Sequence, residues 1–148
     1  MSPRSITLLL FFGFMLSACQ VESNDTIGSL AGEAGSSVAL VGSSLTVGAN
    51  DASTTFSGVV SGDGDLEKVG LGRFTLSGEN TYSGSTTVHA GVLELGDGSA
   101  IPADSFTRVS GTGRLDLSSN TSPSAFTINQ IRIEDQGQLE VSARQPLT

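Results

Sequence analysis

A short phrase that recurs along the chain constrains its fold more than any other feature. It consists of a glycine, a variable residue, and then an apolar, a polar and an apolar residue, and it occurs at 72–76, 91–95, 113–117 and 137–141. Residues 44–47 match the last four positions and form a fifth copy without the glycine. An alternation with period two is typical of a strand that buries one face. Each copy is therefore predicted to be a β-strand.

The spacing of these copies predicts how the strands are arranged. Their first apolar residues, at positions 74, 93, 115 and 139, are separated by 19, 22 and 24 residues. A strand that returns at roughly this interval is typical of a solenoid, whose coils bury their apolar faces against one another. A sandwich of hairpins would show turn signals at about half that spacing. The other faces of each coil are predicted at 38–40, 56–60, 65–69, 86–88 and 106–109.

The glycine before each strand is predicted to mark a corner of the solenoid. Corners often require a positive φ, a conformation that glycine adopts more readily than other residues. The glycine keeps a fixed offset from the apolar pair in four copies. That regularity favours a corner over a chance effect of glycine-rich composition.

The N-terminal segment differs from everything after it. Arg4 is its only charged residue, and residues 6–18 form a nearly uninterrupted apolar run of thirteen. A membrane-spanning helix needs roughly 20 apolar residues, so this run is typical of a secretory leader that is removed. We predict a signal peptide at 1–18, a flexible tether at 19–26 and one β-helical domain at 27–148.

The leader ends in Leu16-Ser17-Ala18-Cys19, which resembles the bacterial lipobox. The resemblance implies cleavage before Cys19, a diacylglycerol on its thiol and a further acyl chain, such as palmitate, on its amine. Two or more chains suffice for stable membrane attachment. Gln20, where an Asp would imply retention at the inner membrane, favours the outer membrane. The alternative is an ordinary leader that leaves Cys19 as an unused thiol.

Composition excludes several classes of function. The chain has 148 residues, 15 acidic and seven basic side chains, a net charge of −8 and a single cysteine. Nucleic-acid binding depends on clustered basic residues, so no nucleic-acid partner is expected. A single cysteine also excludes intramolecular disulfides.

Residues 56–96 carry the most specific pattern in the chain, with Ser-Gly-Glu-Asn-Thr-Tyr at 77–82. They resemble the passenger-associated transport repeat, also called the autotransporter-associated β-strand repeat, with the best match at 59–98. The resemblance implies a short right-handed, single-stranded parallel β-helix, similar to pectin lyase and to autotransporter passengers. It also implies a place at the outer membrane of a Gram-negative bacterium and a role of the repeat in export and stepwise folding.

The end of the sequence departs from that family. Passengers are normally followed by a membrane barrel, whereas nothing before Thr148 alternates over the roughly ten-residue strands that a barrel needs. We therefore expect outer-membrane export machinery as a partner, a periplasmic location, or a truncated autotransporter fragment. Residues 142–148 supply no obvious cap, which favours truncation or self-association through the β-helix ends.

Two sets of polar side chains are weighed as sites in the first half of the repeat region. His89 follows a strand position that predicts a solvent-facing ring, and no nucleophile elbow accompanies it. Asp63, Asp65 and Glu67 are spaced by two and would point to one side, where carboxylates can bind calcium. A solvated acidic corner is preferred for them.

A third set belongs to the recurring phrase itself. Glu94, Asp116 and Glu140 occupy the same polar position in three copies, so a solenoid would stack them in an acidic row, with Arg73, Arg114 and Gln138 at the position before the first apolar residue. Like charges stacked in a sheet repel one another. The row therefore predicts a hydrated face, with a weak cation site, a basic partner or a glycan as alternatives.

The function predicted from these features is a non-enzymatic cell-envelope lipoprotein that serves as a structural or adhesive surface element. A glycan or a host surface is its expected ligand. No catalytic residue, cofactor or metal is predicted, and the one site residue is Cys19. The alternatives are a truncated fragment, a glycan-binding module, or a β-helix carbohydrate-active enzyme, which a cluster of Asp104, Arg108 and Arg132 would support.

Overall fold

A computed structural model describes residues 19–96, 101–102, 105–119 and 131–140. The predicted signal peptide at 1–18 lies outside these ranges. Within them every regular element is a β-strand, and none is a helix long and apolar enough to cross a membrane. The strands are β1 (Cys19–Val21), β2 (Asp25–Ile27), β3 (Ser37–Leu40), β4 (Ser44–Val47), β5 (Thr54–Phe56), β6 (Val59–Gly62), β7 (Asp65–Lys68), β8 (Arg73–Leu76), β9 (Thr86–Val88), β10 (Val92–Leu95), β11 (Thr107–Val109), β12 (Arg114–Asp116), β13 (Ile131–Ile133) and β14 (Gln138–Glu140).

These strands form three sheets, and every pair is parallel. Sheet A has the order β1-β3-β6, sheet B the order β2-β4-β7-β9-β11-β13, and sheet C the order β5-β8-β10-β12-β14. Each strand pairs with the strand one coil away rather than with its neighbour in sequence. The chain is thus a β-solenoid of about five turns. The predicted all-β solenoid is confirmed.

The register of sheet C confirms the predicted stacking of the recurring phrase. Leu93 lies opposite Phe74 on one side and Leu115 on the other, and Leu115 lies opposite Leu139. The four copies that carry a glycine therefore form adjacent strands with their apolar residues in one row. A repeat of roughly 20 residues corresponds to one coil.

The fifth copy, at residues 44–47, lies in a different sheet from the other four. Strand β4 belongs to sheet B, between β2 and β7, and β5 takes the sheet C position beside β8. Period-two alternation is common to the strands of all three sheets, so it does not identify a sheet. In place of the corner glycine, β4 is preceded by Ser43, whose hydroxyl donates to the Val21 carbonyl at 2.7 Å.

The corner glycines are required mainly by close backbone approach. Of the four that precede copies of the phrase, only Gly91 has a positive φ, of 66°. A Cβ on Gly72 would lie 2.3 Å from the carbonyl oxygen of Ala52, and one on Gly113 would lie 2.4 Å from that of Val88. The corner positions are confirmed, whereas the expected positive φ holds at one of the four.

The first coil includes the residues expected to form a flexible tether. Strand β1 pairs with β3 and strand β2 with β4, so residues 19–26 lie largely within the solenoid. Val21 and Ile27 are both buried in the core. Their apolar side chains and the backbone pairing explain why strands form in this segment.

Candidate functional site: the outer face of sheet C and the groove beside it

The outer face of sheet C carries a continuous row of carboxylates. Glu94 lies opposite Asp116, and Asp116 lies opposite Glu140. Their flanking apolar residues, such as Leu93 and Leu95, point into the core. The predicted acidic row is therefore present.

Arginines neutralise this row, so the expectation of a hydrated face is wrong at its centre. One nitrogen of Arg73, Nη1, lies 2.6 Å from Glu94 Oε2 and 3.0 Å from Asp116 Oδ2. The guanidinium of Arg114 lies against the carboxylate of Glu140 in the next coil. Asp116 is only 4% exposed. An arginine is long enough to reach the carboxylates of the following coils, which relieves the repulsion between stacked acids.

Hydroxyl and amide groups complete the surroundings of these carboxylates. The Ser119 hydroxyl donates to Glu94, the amide of Ser118 donates to Asp116 at 2.9 Å, and Thr75 donates to Glu94 at 3.3 Å. The hydrogen bonds from Ser119 and Arg73 lower the pKa of Glu94. For Asp116, burial acts to raise the pKa, but hydrogen bonds from Ser118 and Arg73 outweigh it and leave the pKa lowered. The two acids in turn raise the pKa of Arg73.

The carboxylates weighed as a calcium site are held apart by different partners. Asp63 accepts from the amide of Gly42 at 2.6 Å, and Asp65 accepts from the amide and hydroxyl of Ser85 at 2.6 and 2.8 Å. Among the described residues, no group of three acidic, histidine or cysteine side chains is arranged to hold a metal ion. These acids cap the backbone of neighbouring coils.

His89 lies where the strand pattern predicts it. Its ring is about half exposed, and Nε2 lies 3.6 Å from Glu67 Oε2. Both side chains stand on the outside of the solenoid at sheet B. The predicted outward orientation of His89 is confirmed.

The basic pair considered for an enzymatic role meets an acid that the sequence analysis did not single out. Arg108 lies opposite Arg132 in sheet B. Both guanidinium groups pair with Glu134, and the contact from Arg132 Nε is 2.6 Å long. Asp104, the third member of the expected cluster, lies outside the described residues.

Lys68 is a buried residue whose role was not predicted. It occupies an inward position of β7 opposite Val47 and Val88 and is 1% exposed. Its ammonium donates to the carbonyls of Val69, Gly70 and Ala90, the last two at 2.9 and 3.3 Å. Burial lowers its pKa, and the nearby charge of Asp51 partly offsets this effect. The sequence signal was available, because Lys68 follows Leu66 by two positions and shares its inward face.

The residues at 77–82 are used to build the coil. A Cβ on Gly78 would lie 1.9 Å from the carbonyl oxygen of Gly58. The Asn80 side chain accepts from the amide of Val60 at 2.8 Å. Tyr82 is fully buried, and its hydroxyl lies 2.5 Å from that of Thr86. Burial raises the pKa of Tyr82 to about 12. These roles are structural.

A groove with a volume of about 300 Å³ runs beside this face, along the corners that precede the sheet C strands. One wall is an outward row of sheet C, in which Arg114 lies opposite Val92 and Gln138. The other lining residues belong to the turns before the sheet C strands. Leu71, Thr112 and Gln136 each stand two positions before the outward residue of their strand, and Gly91 stands directly before Val92. The lining residues are Leu71, Gly91, Val92, Thr112, Arg114, Gln136 and Gln138.

Comparison with known proteins agrees with the architecture. Residues 66–95, which span β7 to β10, match the family model described as the Passenger-associated-transport-repeat. A stretch of 84 residues is 42% identical to the Adhesin BmaC autotransporter of Brucella suis biovar 1 (strain 1330). That stretch covers 56% of this chain but only 2% of the adhesin. No solved structure matches the chain. The protein is therefore a β-solenoid in which residues 66–95 are similar to the passenger-associated transport repeat.

Proposed function

We propose that the protein is a non-enzymatic cell-envelope lipoprotein whose solenoid serves as a structural or adhesive element at the cell surface. The observation that carries this proposal is that characteristic side chains of the repeat are buried and stabilise the solenoid. Lys68 and Asn80 are buried and hydrogen-bond to a neighbouring coil, and Tyr82 is buried in the core with its hydroxyl beside Thr86 of the same coil. A repeat used in this way builds a rigid rod with a polar exterior, which suits display of a surface.

Similarity to an autotransporter adhesin supports a place at the cell surface. The chain spans about 2% of the length of that relative, so the adhesive role is carried over as part of the proposal. Export machinery of the outer membrane is the partner that such a placement requires. Self-association through the end of the rod is part of the same proposal, because β13 and β14 are the last strands of their sheets in the described part of the chain and Ile133 is 45% exposed.

The position of Cys19 supports anchoring through a lipid. It lies at the start of β1, an edge strand of sheet A in the first coil. Acyl chains attached there would leave the protein at the end of the rod. The rod would then extend away from the membrane, and its later coils would stand farthest from it.

The distribution of charge supports the same orientation. Residues 19–67 contain seven acidic side chains and no lysine or arginine, whereas all six basic residues beyond the leader lie at or after Lys68. Bilayers with anionic lipids repel acidic segments. The acidic coils nearest to Cys19 would therefore resist lying flat on the membrane.

Pairing of charges favours a role without catalysis. Arg73 is engaged by Glu94 and Asp116, and Arg108 is engaged by Glu134. General acid–base chemistry requires groups that are free to exchange protons with a substrate. These arginines and carboxylates instead stabilise the outer faces of the sheets.

The test is protease digestion of intact cells that express the full chain, beside cells that express Cys19→Ala. We expect digestion in intact cells, a mass that corresponds to a lipidated Cys19, and loss of lipidation in the variant. Protection in intact cells would overturn surface exposure. An unlipidated chain would overturn the anchor.

Adhesion is tested separately by comparing cells that display the protein with cells that lack it. We expect more cells to be retained on a surface coated with extracellular matrix or with glycans. For the protease experiment described above, a periplasmic marker protein controls for cell integrity during digestion. Equal retention of both cell types would remove the adhesive role and leave a structural one.

A further inference from the structure

We propose that the corner groove beside sheet C binds a neutral, linear oligosaccharide. This inference rests on the proposed adhesive function for its biological meaning, and it assigns a site and a ligand class to it. The groove residues are those that line the 300 Å³ depression from Leu71 to Gln138. The argument depends on its dimensions, its chemistry and its charge.

The groove is extended, because it follows the stacking direction of the coils. Its residues come from the corners of four successive coils, at Leu71, Gly91, Thr112 and Gln136. Adjacent strands are spaced by about 4.8 Å, so these corners cover about 14 Å. An extended chain of sugars, with a repeat of similar length, can present one unit to each coil.

Gly91 is the one glycine among the lining residues. It has a φ of 66°. A Cβ there would lie 2.4 Å from the carbonyl oxygen of Gly70 and 2.5 Å from that of Gly72. A larger residue is therefore excluded by the stacking of the coils, and the groove is lined by backbone without a side chain at this position.

The walls combine two kinds of contact that sugars use. Gln136, Gln138 and Thr112 offer amide and hydroxyl groups that both donate and accept hydrogen bonds. Leu71 is 75% exposed, the highest value among the large apolar residues in the described part of the chain. An exposed leucine beside such groups suits the apolar face of a sugar ring, which carries hydroxyls around its edge.

The charge of the groove favours a neutral ligand. Arg114 is its one charged lining residue, and its guanidinium already pairs with Glu140. The chain as a whole has a net charge of −8, which disfavours anionic polymers at long range. A polyanion is therefore the negative comparison for the test.

The experiment is calorimetric titration of the purified full chain in a detergent without a sugar headgroup. The probes are hexasaccharides of β-1,4-linked glucose and of β-1,4-linked N-acetylglucosamine, with a hexamer of α-1,4-linked galacturonate as the anionic comparison. We expect at least one neutral probe to bind at millimolar or lower concentration, more tightly than the galacturonate. Absence of binding by both neutral probes, or tighter binding of the galacturonate, would overturn the proposal.

Matched variants place the binding in the groove. The double variant Gln136→Ala/Gln138→Ala should weaken binding by about tenfold, because two hydrogen-bonding amides are lost. Leu71→Asp should weaken it to a similar degree. The controls Gln20→Ala and Val41→Asp change an exposed glutamine and a half-exposed valine outside the groove, and they should leave binding unchanged. If both groove variants retain binding, as the two controls should, the site is refuted.

An extended polypeptide is the other kind of ligand to be tested. The probe is reduced and carboxymethylated lactalbumin, which is unfolded. If it binds in place of the sugars and the groove variants abolish its binding, the groove is a peptide site and the inference is wrong. These measurements use purified protein and do not depend on its location in the cell. A periplasmic location would thus overturn the proposed function alone, whereas failed titrations would overturn the groove assignment alone.

Discussion

The guanidinium of Arg73 lies 3.0 Å from the carboxylate of Asp116, although the two residues are 43 positions apart in the chain. Glu94 lies between them in the stack and is held by the same nitrogen at 2.6 Å. One side chain thus connects three consecutive coils from the outside. The core connects the same coils from the inside through Phe74, Leu93 and Leu115.

Replacement of Arg73 should destabilise the three coils that its side chain connects. Arg73→Leu leaves Asp116 buried without its charged partner, and we expect a loss of about 1–3 kcal/mol in the free energy of unfolding. The control is Arg132→Leu, because Arg132 is 68% exposed and pairs only at the surface. It should cost less than about 1 kcal/mol. Urea unfolding followed by circular dichroism measures both, and equal losses would contradict the bridging role.

Acid should weaken the same connection. The pKa values of Glu94 and Asp116 are lower in the folded chain than in an unfolded one. Their contribution is therefore present above the unfolded pKa of about 4 and is lost as pH falls through the lower folded values. We expect the difference in stability between the parent chain and Arg73→Leu to shrink between about pH 5 and pH 2. A difference that stays constant over this range would argue against the ionised pair.

The chain offers a direct test of the buried lysine. Lys68 is its single lysine and is 1% exposed. An amine-reactive ester should leave Lys68 unmodified in the native chain and acylate it after denaturation in urea, as shown by peptide mass spectrometry. Rapid acylation of Lys68 in the native chain would place its ammonium at the surface.

Tyr82 provides an optical probe of the core at alkaline pH. It is the one tyrosine, and the chain has no tryptophan. Its pKa is raised to about 12 by burial, so the folded chain loses stability as pH rises from the unfolded pKa of about 10 toward 12. We expect ionisation, measured by absorbance near 295 nm, to coincide with unfolding. In urea the same transition should occur near pH 10.

Tyr82→Phe serves as the comparison for the alkaline transition. It keeps the ring in the core and removes the ionisable hydroxyl, so circular dichroism should show less alkaline unfolding. A parent chain whose tyrosine ionises near pH 10 while it remains folded would contradict the burial of this side chain.

The close stacking of coils at Gly78 predicts a severe effect of a single methyl group. Gly78→Ala would bring the new Cβ to 1.9 Å from the Gly58 carbonyl oxygen, and the two coils would have to separate. We expect a loss of about 3 kcal/mol or more. Gly42→Ala is the control, since its Cβ would meet no atom within 4 Å and would cost about 1–2 kcal/mol for its positive φ. Thermal unfolding ranks the two variants.

The sequence contains enough information to predict the solenoid. The alternation around Leu93 and Leu115 identifies strands, and their separation by one coil places them in register. The sheet that each strand joins is harder to predict, as β4 shows, because alternation alone does not distinguish three faces with the same chemistry. The strand at Val21 is harder to predict, because this residue is an isolated apolar side chain in a polar segment and its core partner comes from the next coil.

The site depends on contacts between coils that a linear pattern does not specify. The acidic row at Glu94 and Asp116 follows from register, whereas its neutralisation depends on the length and direction of Arg73. Lys68 could have been placed inward by its spacing from Leu66. The corner groove is lined by the positions on either side of the phrase glycines, such as Leu71 and Gln136, and these positions vary from copy to copy, so the alternation does not predict the groove.

Each strand stacks in parallel on its counterpart one coil away. Every coil therefore adds the same height to the solenoid. Each coil of roughly 20 residues adds about 4.8 Å, whereas the same residues in an extended chain would span more than 60 Å. Height therefore changes in discrete steps, one repeat at a time, while the cross-section stays the same. Duplication of a whole repeat in a gene would lengthen such a rod and leave most existing contacts as they are.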